Sequence, residues 1–448
     1  MPKVVILGAG LTGLSMAYFL EKSGFYDYQI IEKSDQPGGL LKTHKENGFV
    51  FDHTGHFLHI NNAIFENFLD EIYGLTNMNM LNRKSFIYSN NIHTPYPFQK
   101  NLHGLPTKII IDCITGFIER KNRIKNPKNF HEWVAKHFGL GLGKHFFFPY
   151  NSKLLNIKPK DLMPSWTSRF VPKIELKDLL ECSLEPKEYS LDGYNSSFFY
   201  PKNGGIEQLI RNIVSKLSQK IKINSMASLI DQNKKQIHLQ TGEKINYQML
   251  FSTIPLPNLL KSLSDQTINN FETISNKLSC NQVLNFNIGI NRPDLSEKHW
   301  IYFPEKKFKF YRVGFWHNFA DSMVPRGHSS FYGEVSFRPE TNKKTCKDKL
   351  LNQSIKQTLQ FFKINKPEIS IQKTLFLEHA YVVYDRWRED NLKKIHKTLA
   401  TQDLHSIGRF GEWKYSSMQE AVLDGLENSK LALKKCLPNK KRINILEV

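Results

Sequence analysis

Three glycines near the N-terminus have the spacing that binds a dinucleotide. Residues 8–13 read GAGLTG, a G-x-G-x-x-G motif formed by Gly8, Gly10 and Gly13. The apolar segment Val4–Leu7 precedes the motif and helical apolar spacing follows it, which is the strand–turn–helix context that the motif requires. Gly8 permits a tight turn, Gly10 lets a pyrophosphate approach the backbone, and Gly13 lets the helix pack on the strand.

A carboxylate follows at the position of a ribose partner. Glu32 ends the next apolar segment, Tyr28–Ile31, about 20 residues after the last glycine of the motif, where it can accept hydrogen bonds from ribose hydroxyls. The N-terminus of the intervening helix supplies N–H groups and a positive dipole to phosphates. The sequence therefore predicts a Rossmann-type dinucleotide site. The alternative interpretation is an ordinary glycine-rich turn.

Length and composition bound the remaining possibilities. The 448 residues suggest two or three domains, and a hydrophobic content of 40% with 23% charged residues is that of a globular protein. We expect no transmembrane segment, because no apolar run reaches the roughly 18 to 20 residues of a membrane span. The five cysteines are scattered without a C-x-x-C pair. This argues against disulfides or a metal site and favours a cytoplasmic location.

The chain carries a net charge of +20. Such an excess could serve nucleic acid, an acidic membrane surface or an anionic small substrate. The basic residues are spread along the sequence, so we interpret them as a solvated surface and expect no nucleic-acid partner. The sequence leaves the oligomeric state open.

The pattern of elements predicts an α/β fold with a discontinuous first domain. Strand and helix alternate at the start, helical patterns dominate the next part, and period-two segments such as Gln282–Ile290 follow. We predict a Rossmann-type dinucleotide-binding domain with a mainly helical insertion and a second, largely antiparallel sheet. The expected boundaries are residues 1–60, 191–265 and 400–448 for the first domain, 61–190 for the insertion and 266–399 for an antiparallel-sheet substrate domain.

Gly38 and Gly39 follow Glu32 shortly in the sequence, and this pattern resembles the flavin amine-oxidase superfamily. There an acidic residue is followed shortly by a Gly-Gly turn that lies against the cofactor, as Gly38 and Gly39 follow Glu32 here. This resemblance favours FAD over NAD as the bound dinucleotide.

Six further segments, from 48–56 (GFVFDHTGH) to 408–415 (GRFGEWKY), together resemble the UDP-galactopyranose mutase family, especially its eukaryotic-type branch. They occur in the family's order from residue 4 to about residue 425. The matching segments are 48–56 (GFVFDHTGH), 95–102 (PYPFQKNL), 149–153 (PYNSK), 310–312 (FYR), 329–336 (SSFYGEVS) and 408–415 (GRFGEWKY).

This resemblance implies an FAD-dependent isomerase that interconverts pyranose and furanose rings of a nucleoside-diphosphate sugar, without net redox change. In that family N5 of the reduced flavin is the nucleophile at the anomeric carbon and the nucleoside diphosphate leaves. NAD(P)H or another reductant would supply the electrons, and the products would serve surface polysaccharides or glycoconjugates. Two alternatives remain: an FAD-dependent oxidase or desaturase of the amine-oxidase superfamily, and a non-enzymatic flavin-binding scaffold at a membrane surface.

The same resemblance implies roles for individual residues on the substrate side. Arg312 and Arg169 would hold the diphosphate, because a guanidinium fork meets phosphate oxygens at two points. The family arginine matched by Arg169 lies one residue further along, where this chain has Phe170. Tyr381 and Tyr415 would donate hydroxyls to the diphosphate. The remaining substrate contact would be Asn151, with an ordinary strand, core or turn role as the alternative for each of these residues.

On the cofactor side, the resemblance places His56 beside the isoalloxazine, where it would take part in catalysis. Arg409 lies in the glycine turn at residues 408–411, where its cation would stabilise the negative charge of the reduced ring. The residues expected to contact FAD are Gly8, Gly10, Thr12, Gly13, Glu32, Lys33, Gly39, Leu40, Gly55, His56, Arg409 and Met418.

The chain departs from the family pattern at three places. Thr54 stands where the family commonly has the first glycine of Gly-Gly-His, which affects the flavin face. Leu155 stands where an aromatic residue is expected, which affects the nucleotide pocket. Residues 416–419 (SSMQ) replace the family's Asn-Gln-Asp-His, so a nicotinamide contact there has no counterpart.

Overall fold

The computed structural model describes residues 2–121, 124–167, 171–186, 196–264, 270–339 and 344–437. The strands in these ranges are β1 (Val4–Leu7), β2 (Tyr28–Ile31), β3 (Thr43–Glu46), β4 (Phe49–Asp52), β5 (Met78–Asn82), β6 (Ser85–Ser89), β7 (Ile92–Pro95), β8 (Ser197–Pro201), β9 (Ala227–Asp231), β10 (Gln236–Leu239), β11 (Lys244–Asn246), β12 (Met249–Ser252), β13 (Gln282–Ile290), β14 (Trp300–Tyr302), β15 (Arg312–Phe315), β16 (Ser329–Phe337), β17 (Ile369–Leu377) and β18 (Leu404–Ser406).

Helices connect and cover these strands. The α-helices are Leu11–Lys22, Ala63–Ile72, Thr107–Ile118, Phe130–His137, Gly139–Leu142, Phe148–Leu155, Leu176–Leu184, Glu207–Lys216, Leu256–Ser262, Phe271–Lys277, Lys344–Phe361, Arg386–Ala400, Gly408–Gly411 and Met418–Cys436. A π-helical turn, Gly143–Phe147, joins two of them. None of the helices within the described ranges combines the length and apolar character needed to cross a membrane.

A four-stranded parallel sheet, in the order β18-β12-β1-β2, contains strands from both the beginning and the end of the chain. Strands β1 and β12 are buried at every position, which explains their continuous apolar sequences. The helix Leu11–Lys22 packs against the helix Met418–Cys436. At Gly425 the two helices approach so closely that a Cβ would lie 2.8 Å from the backbone nitrogen of Met16. The last helix therefore supports the helix that follows the glycine motif.

The second large sheet has seven strands in the order β17-β13-β16-β15-β14-β6-β7. All its pairs are antiparallel except β6 with β14. Side chains alternate between its faces. On β16, Phe331, Val335 and Phe337 belong to an apolar cluster with the helix Lys344–Phe361. The opposite face of β16 carries Tyr332 and Glu334, and we call this side of the sheet the inner face.

The α/β class predicted from the sequence is confirmed, with a parallel Rossmann-type sheet and a second, mostly antiparallel one. The range 61–190 differs from expectation in detail, because it contributes strands as well as helices. Strands β6 and β7 belong to the seven-stranded sheet, and β5 pairs with β8. These strands have only four or five residues, too few to establish a period of two.

Candidate functional site

The glycine motif forms a turn with open space at its middle glycine. A Cβ on Gly13 would lie 2.2 Å from the carbonyl oxygen of Gly8, so the helix packs directly on the turn. By contrast, the nearest atom to a Cβ on Gly10 would be the Cα of Gly39, at 3.9 Å. A β-bridge joins Gly10 to Gly38 and brings the second glycine turn alongside the first. Because Gly10 meets no obstructing atom, a pyrophosphate can approach the backbone there.

The carboxylate of Glu32 is buried beside this turn. It accepts hydrogen bonds from the backbone nitrogens of Ala9, at 2.9 Å, and Ser34, at 2.8 Å. These bonds fix its orientation, and each oxygen keeps a second acceptor site for a ribose hydroxyl. The side chain of Lys33 is exposed, whereas Leu40 packs against the small apolar cluster of Val283, Tyr311, Leu377 and Ala380.

The other predicted cofactor residues lie where the two chain ends meet. Thr12 is buried against Gly408, since a Cβ on Gly408 would lie 2.5 Å from the hydroxyl oxygen of Thr12. Met418 begins the last helix, and Ser417 caps that helix by accepting from the nitrogen of Glu420. The turn at Gly408 therefore adjoins the start of the helix that follows the dinucleotide turn.

A buried ion pair lies on the inner face of the seven-stranded sheet. Arg312 on β15 is opposite Glu334 on β16, and its Nε and Nη2 donate to the two carboxylate oxygens at 2.6 and 2.8 Å. Glu334 has no exposed surface. Burial opposes the charge on Arg312, but Glu334 raises the pKa of the guanidinium well above its usual value. The arginine is therefore permanently charged and held in one orientation.

Two tyrosines and a second arginine lie near this pair. The rings of Tyr381 and Tyr415 are nearly parallel, with centres 5.9 Å apart. The guanidinium of Arg409 is 5.0 Å from the centre of Tyr415 and donates to the carbonyl oxygens of Ser416, at 2.6 Å, and Ala380, at 3.0 Å. Burial raises the pKa of both phenols, so their hydroxyls stay protonated and can donate.

His56 borders the same group. Burial, with the charges of Arg409, His53 and Arg312, lowers the pKa of His56 to about 3, so the imidazole is neutral at physiological pH. The preceding residue lies on Tyr332, because a Cβ on Gly55 would be 2.4 Å from that phenol oxygen. We call His56, Arg312, Arg409, Tyr381 and Tyr415 the arginine–tyrosine cluster. The structure thus brings five residues predicted from the sequence into one place.

The structure says less about the other residues that the sequence assigns to the substrate side. Asn151 is buried on the helix Phe148–Leu155 and donates its amide to the carbonyl oxygen of Phe147, at 2.8 Å, so its substrate role stays a prediction. Arg169 lies outside the described residues. Leu155, which replaces an expected aromatic residue, is buried in the apolar core of the helical region.

Sequence reasoning missed Glu334 and Tyr332. Both lie at alternate positions of β16, which has the sequence SSFYGEVSF. A carboxylate at a buried position of a strand is a signal in itself, because an ionised side chain there requires a partner. The partner, Arg312, is 22 residues away and could be paired with Glu334 only through the strand register.

Comparisons with known proteins agree with this geometry. The family described as flavin containing amine oxidoreductase matches residues 11–391. Two sequence relatives match short segments: a coproporphyrinogen III oxidase of Staphylococcus aureus is 32% identical over 109 residues, 24% of this chain, and a 4,4'-diapolycopene oxygenase of Methylomonas sp. is 48% identical over 50 residues, 11% of this chain. The matches span only 23% and 10% of those proteins' own lengths.

Solved structures match over nearly the whole chain. A reduced UDP-galactopyranose mutase superposes with a TM-score of 0.89 at 28% identity, covering 100% of this chain and 98% of that one. A putative protoporphyrinogen oxidase from Exiguobacterium sp. 255-15 has a TM-score of 0.75 at 16% identity, with 97% and 99% coverage. A putrescine oxidase has a TM-score of 0.64 at 15% identity, with 96% and 99% coverage. The last two show the fold alone.

The family implies FAD, and the residues present fit it. The backbone is open at Gly10, and Glu32 is oriented for a ribose. Within the described part of the chain, Tyr332 Oη, Arg409 Nε and Ser416 Oγ are buried polar atoms without a protein partner. Such atoms require a ligand or water. The glycine turn would hold the pyrophosphate, and His56 and Arg409 would lie beside the ring.

Two glycine substitutions separate cofactor binding from folding. We expect Gly10→Ala to fold with wild-type stability in the absence of FAD, because its Cβ meets no protein atom closer than 3.9 Å, but to bind FAD at least about tenfold more weakly. Gly13→Ala should lose apoprotein stability as well, because its Cβ would overlap the carbonyl of Gly8. Thermal unfolding of the apoproteins and fluorescence titration with FAD measure both effects. Stoichiometric, tight FAD binding by Gly10→Ala would refute the assignment of the pyrophosphate position.

Proposed function

We propose that this chain, which belongs to the flavin containing amine oxidoreductase family, is an FAD-dependent nucleotide-sugar mutase that interconverts pyranose and furanose rings. The observation that carries the proposal is the arginine–tyrosine cluster on the inner face of the seven-stranded sheet. The full-length likeness to a UDP-galactopyranose mutase supports it. The substrate class is a nucleoside-diphosphate sugar.

The charges of the cluster favour an anionic ligand. Glu334 neutralises Arg312 through two hydrogen bonds, and His56 is neutral. Arg409 donates to backbone carbonyls, and none of the ion pairs found among the described residues involves it. The net charge of the group is therefore positive. The reduced ring would offset the charge of Arg409, so the group offers a diphosphate the N–H and O–H donors of Arg312 and the two phenols, and it offers a cationic amine no free carboxylate.

The chain's own residues would act on the leaving diphosphate. When bound, reduced FAD would supply the nucleophile for the sugar, and the nucleoside diphosphate would be the leaving group. Arg312 keeps N–H groups beyond those that Glu334 accepts, and the hydroxyls of Tyr381 and Tyr415 are protonated donors. Donors aimed at phosphate oxygens stabilise the negative charge that develops as the bond to the sugar breaks.

Three finer points extend the proposal. Asn151 and Arg169 would contribute to the nucleotide or diphosphate subsite, as the resemblance implies. NAD(P)H or another reductant would reduce the flavin, and the furanose product would enter surface polysaccharides or glycoconjugates. The assignment to the eukaryotic-type branch stays a prediction.

The second candidate is an FAD-dependent oxidase or desaturase. Its support is the family itself and the fold shared with a putrescine oxidase. An oxidase of this kind consumes one equivalent of oxidant for each turnover, whereas a mutase consumes none. This difference in stoichiometry separates the two candidates.

We expect the purified protein to convert UDP-galactopyranose into the furanose isomer only when its flavin is reduced. The reaction should reach many turnovers per enzyme after a single reduction by dithionite under anaerobic conditions, because the flavin acts without net electron transfer. Chromatography with NMR identification of the product measures the conversion, and the same enzyme kept oxidised is the control. Conversion by the oxidised enzyme, or use of one reductant per product, would contradict the mutase proposal.

Arg312→Lys should bind nucleoside diphosphate poorly. An ammonium cannot reproduce the two-point contact with Glu334 and still donate to a phosphate. Losing one charge-assisted hydrogen bond costs about 1.5–3 kcal/mol, which is about a ten- to hundredfold loss in kcat/KM. Calorimetric titration with UDP and the mutase assay measure the effect, with FAD content and melting temperature as checks on folding. Wild-type values for both UDP affinity and turnover would remove Arg312 from the site.

A further inference from the structure

A single buried amide connects three segments that carry the site. Asn281 precedes β13 and has no exposed surface. Its Nδ2 donates to the carbonyl oxygen of Leu154 and, at 2.6 Å, to the hydroxyl of Ser336. Its Oδ1 accepts from the backbone nitrogen of Tyr381 at 2.7 Å. Both amide protons and the oxygen of the side chain are therefore used.

The backbone of Asn281 strengthens the same connection. Its nitrogen donates to the carbonyl oxygen of Tyr381 at 3.0 Å, and its carbonyl oxygen accepts from the nitrogen of Ala380 at 3.1 Å. Three hydrogen bonds from one residue thus hold the segment that carries Tyr381. The backbone that carries the phenol cannot move relative to the start of β13 without breaking them.

The other partners of Asn281 are also adjacent to site residues. Leu154 lies near the end of the helix Phe148–Leu155, which carries Asn151, and Ser336 is two residues from Glu334 on the same face of β16. The hydroxyl of Ser336 donates in turn to the carbonyl oxygen of Leu154 at 2.7 Å. The helix, the Glu334 strand and the Tyr381 segment therefore meet at one point.

We propose that Asn281 is a positioning residue, which holds Tyr381 at a fixed distance from the Arg312–Glu334 pair so that phenol and guanidinium act on the same diphosphate. This inference rests on the proposed function and adds a residue that no motif in the sequence marks. Asparagine suits the position because one planar group must offer two donors and one acceptor. An aspartate would set an oxygen against the carbonyl of Leu154, and alanine would leave the backbone nitrogen of Tyr381 without its acceptor.

Asn281→Asp gives the sharpest test. At pH 8 its carboxylate repels the carbonyl of Leu154, and we expect UDP affinity and kcat/KM to fall on the order of tenfold with FAD content unchanged. A protonated carboxyl offers one donor and one acceptor, and its burial against a carbonyl raises its pKa. The ratio of variant to wild-type kcat/KM should therefore recover as the pH is lowered from about 8 to about 5. A loss that does not change with pH would overturn the positioning role.

Two further variants keep the test decisive. Ile355→Ala removes an apolar side chain between the outer face of the sheet and the helix Lys344–Phe361, so it should lower the melting temperature and leave UDP affinity at the wild-type value. If Asn281→Asp does not accumulate as folded protein, Ser336→Ala removes one partner and should weaken UDP binding about threefold. Wild-type UDP affinity in Ser336→Ala, or an equal loss in Ile355→Ala, would overturn the inference.

The wild-type measurements separate this inference from the proposed function. If the wild-type protein neither binds UDP nor isomerises the nucleotide sugar, the mutase proposal fails first. If the wild type does both and Asn281→Asp matches it at every pH, the mutase proposal stands and Asn281 has no positioning role.

Discussion

A buried ion pair constrains the surroundings of the site more than any other interaction. Arg312 and Glu334 lie on neighbouring strands of the seven-stranded sheet, and Glu334 has no contact with solvent. Burying two charges costs free energy that only close, well-directed hydrogen bonds offset, so the strand register and the orientation of both side chains must be held accurately. The inner face is accordingly polar and hydrogen-bonded, while the outer face is apolar and covered by the helix Lys344–Phe361. The guanidinium of this pair is held in one orientation, so its remaining N–H groups can receive a diphosphate without reorganising.

The cofactor side follows a different constraint, the close approach of backbone to phosphate. Gly13 packs on Gly8, and Gly10 is open, so the motif divides its glycines between folding and binding. The chain returns to this turn at its other end, where Gly408 contacts Thr12 and the last helix packs on the first. Because Arg409 follows Gly408 and reaches the tyrosines, this returning segment connects the dinucleotide turn to the inner face.

Part of this architecture was predictable from the sequence, because it depends on residues that lie close together in the chain. The glycine turn and Glu32 depend on neighbours within one strand–turn–helix unit, so their spacing alone predicts their roles. The family resemblance placed Arg312, Tyr381 and Tyr415 in one site. Partnerships across strands were not predictable, because Glu334 meets Arg312 and Asn281 meets Tyr381 only through sheet register and loop packing. For the same reason, the short strands β5 to β7 were missed inside a stretch with helical patterns.

The proposed function requires a glycine-lined flavin site that faces Arg312 and two phenol donors, which receive a diphosphate. Its most direct test is a spectral titration of the reduced protein under anaerobic conditions, because a ligand that binds against the ring perturbs the flavin absorbance. We expect UDP-galactose and UDP to give saturable changes, with the affinity falling as salt is raised because the contact is between charges. We expect putrescine to give none. Saturable binding of putrescine without any response to UDP-galactose would contradict the account and favour an amine oxidase.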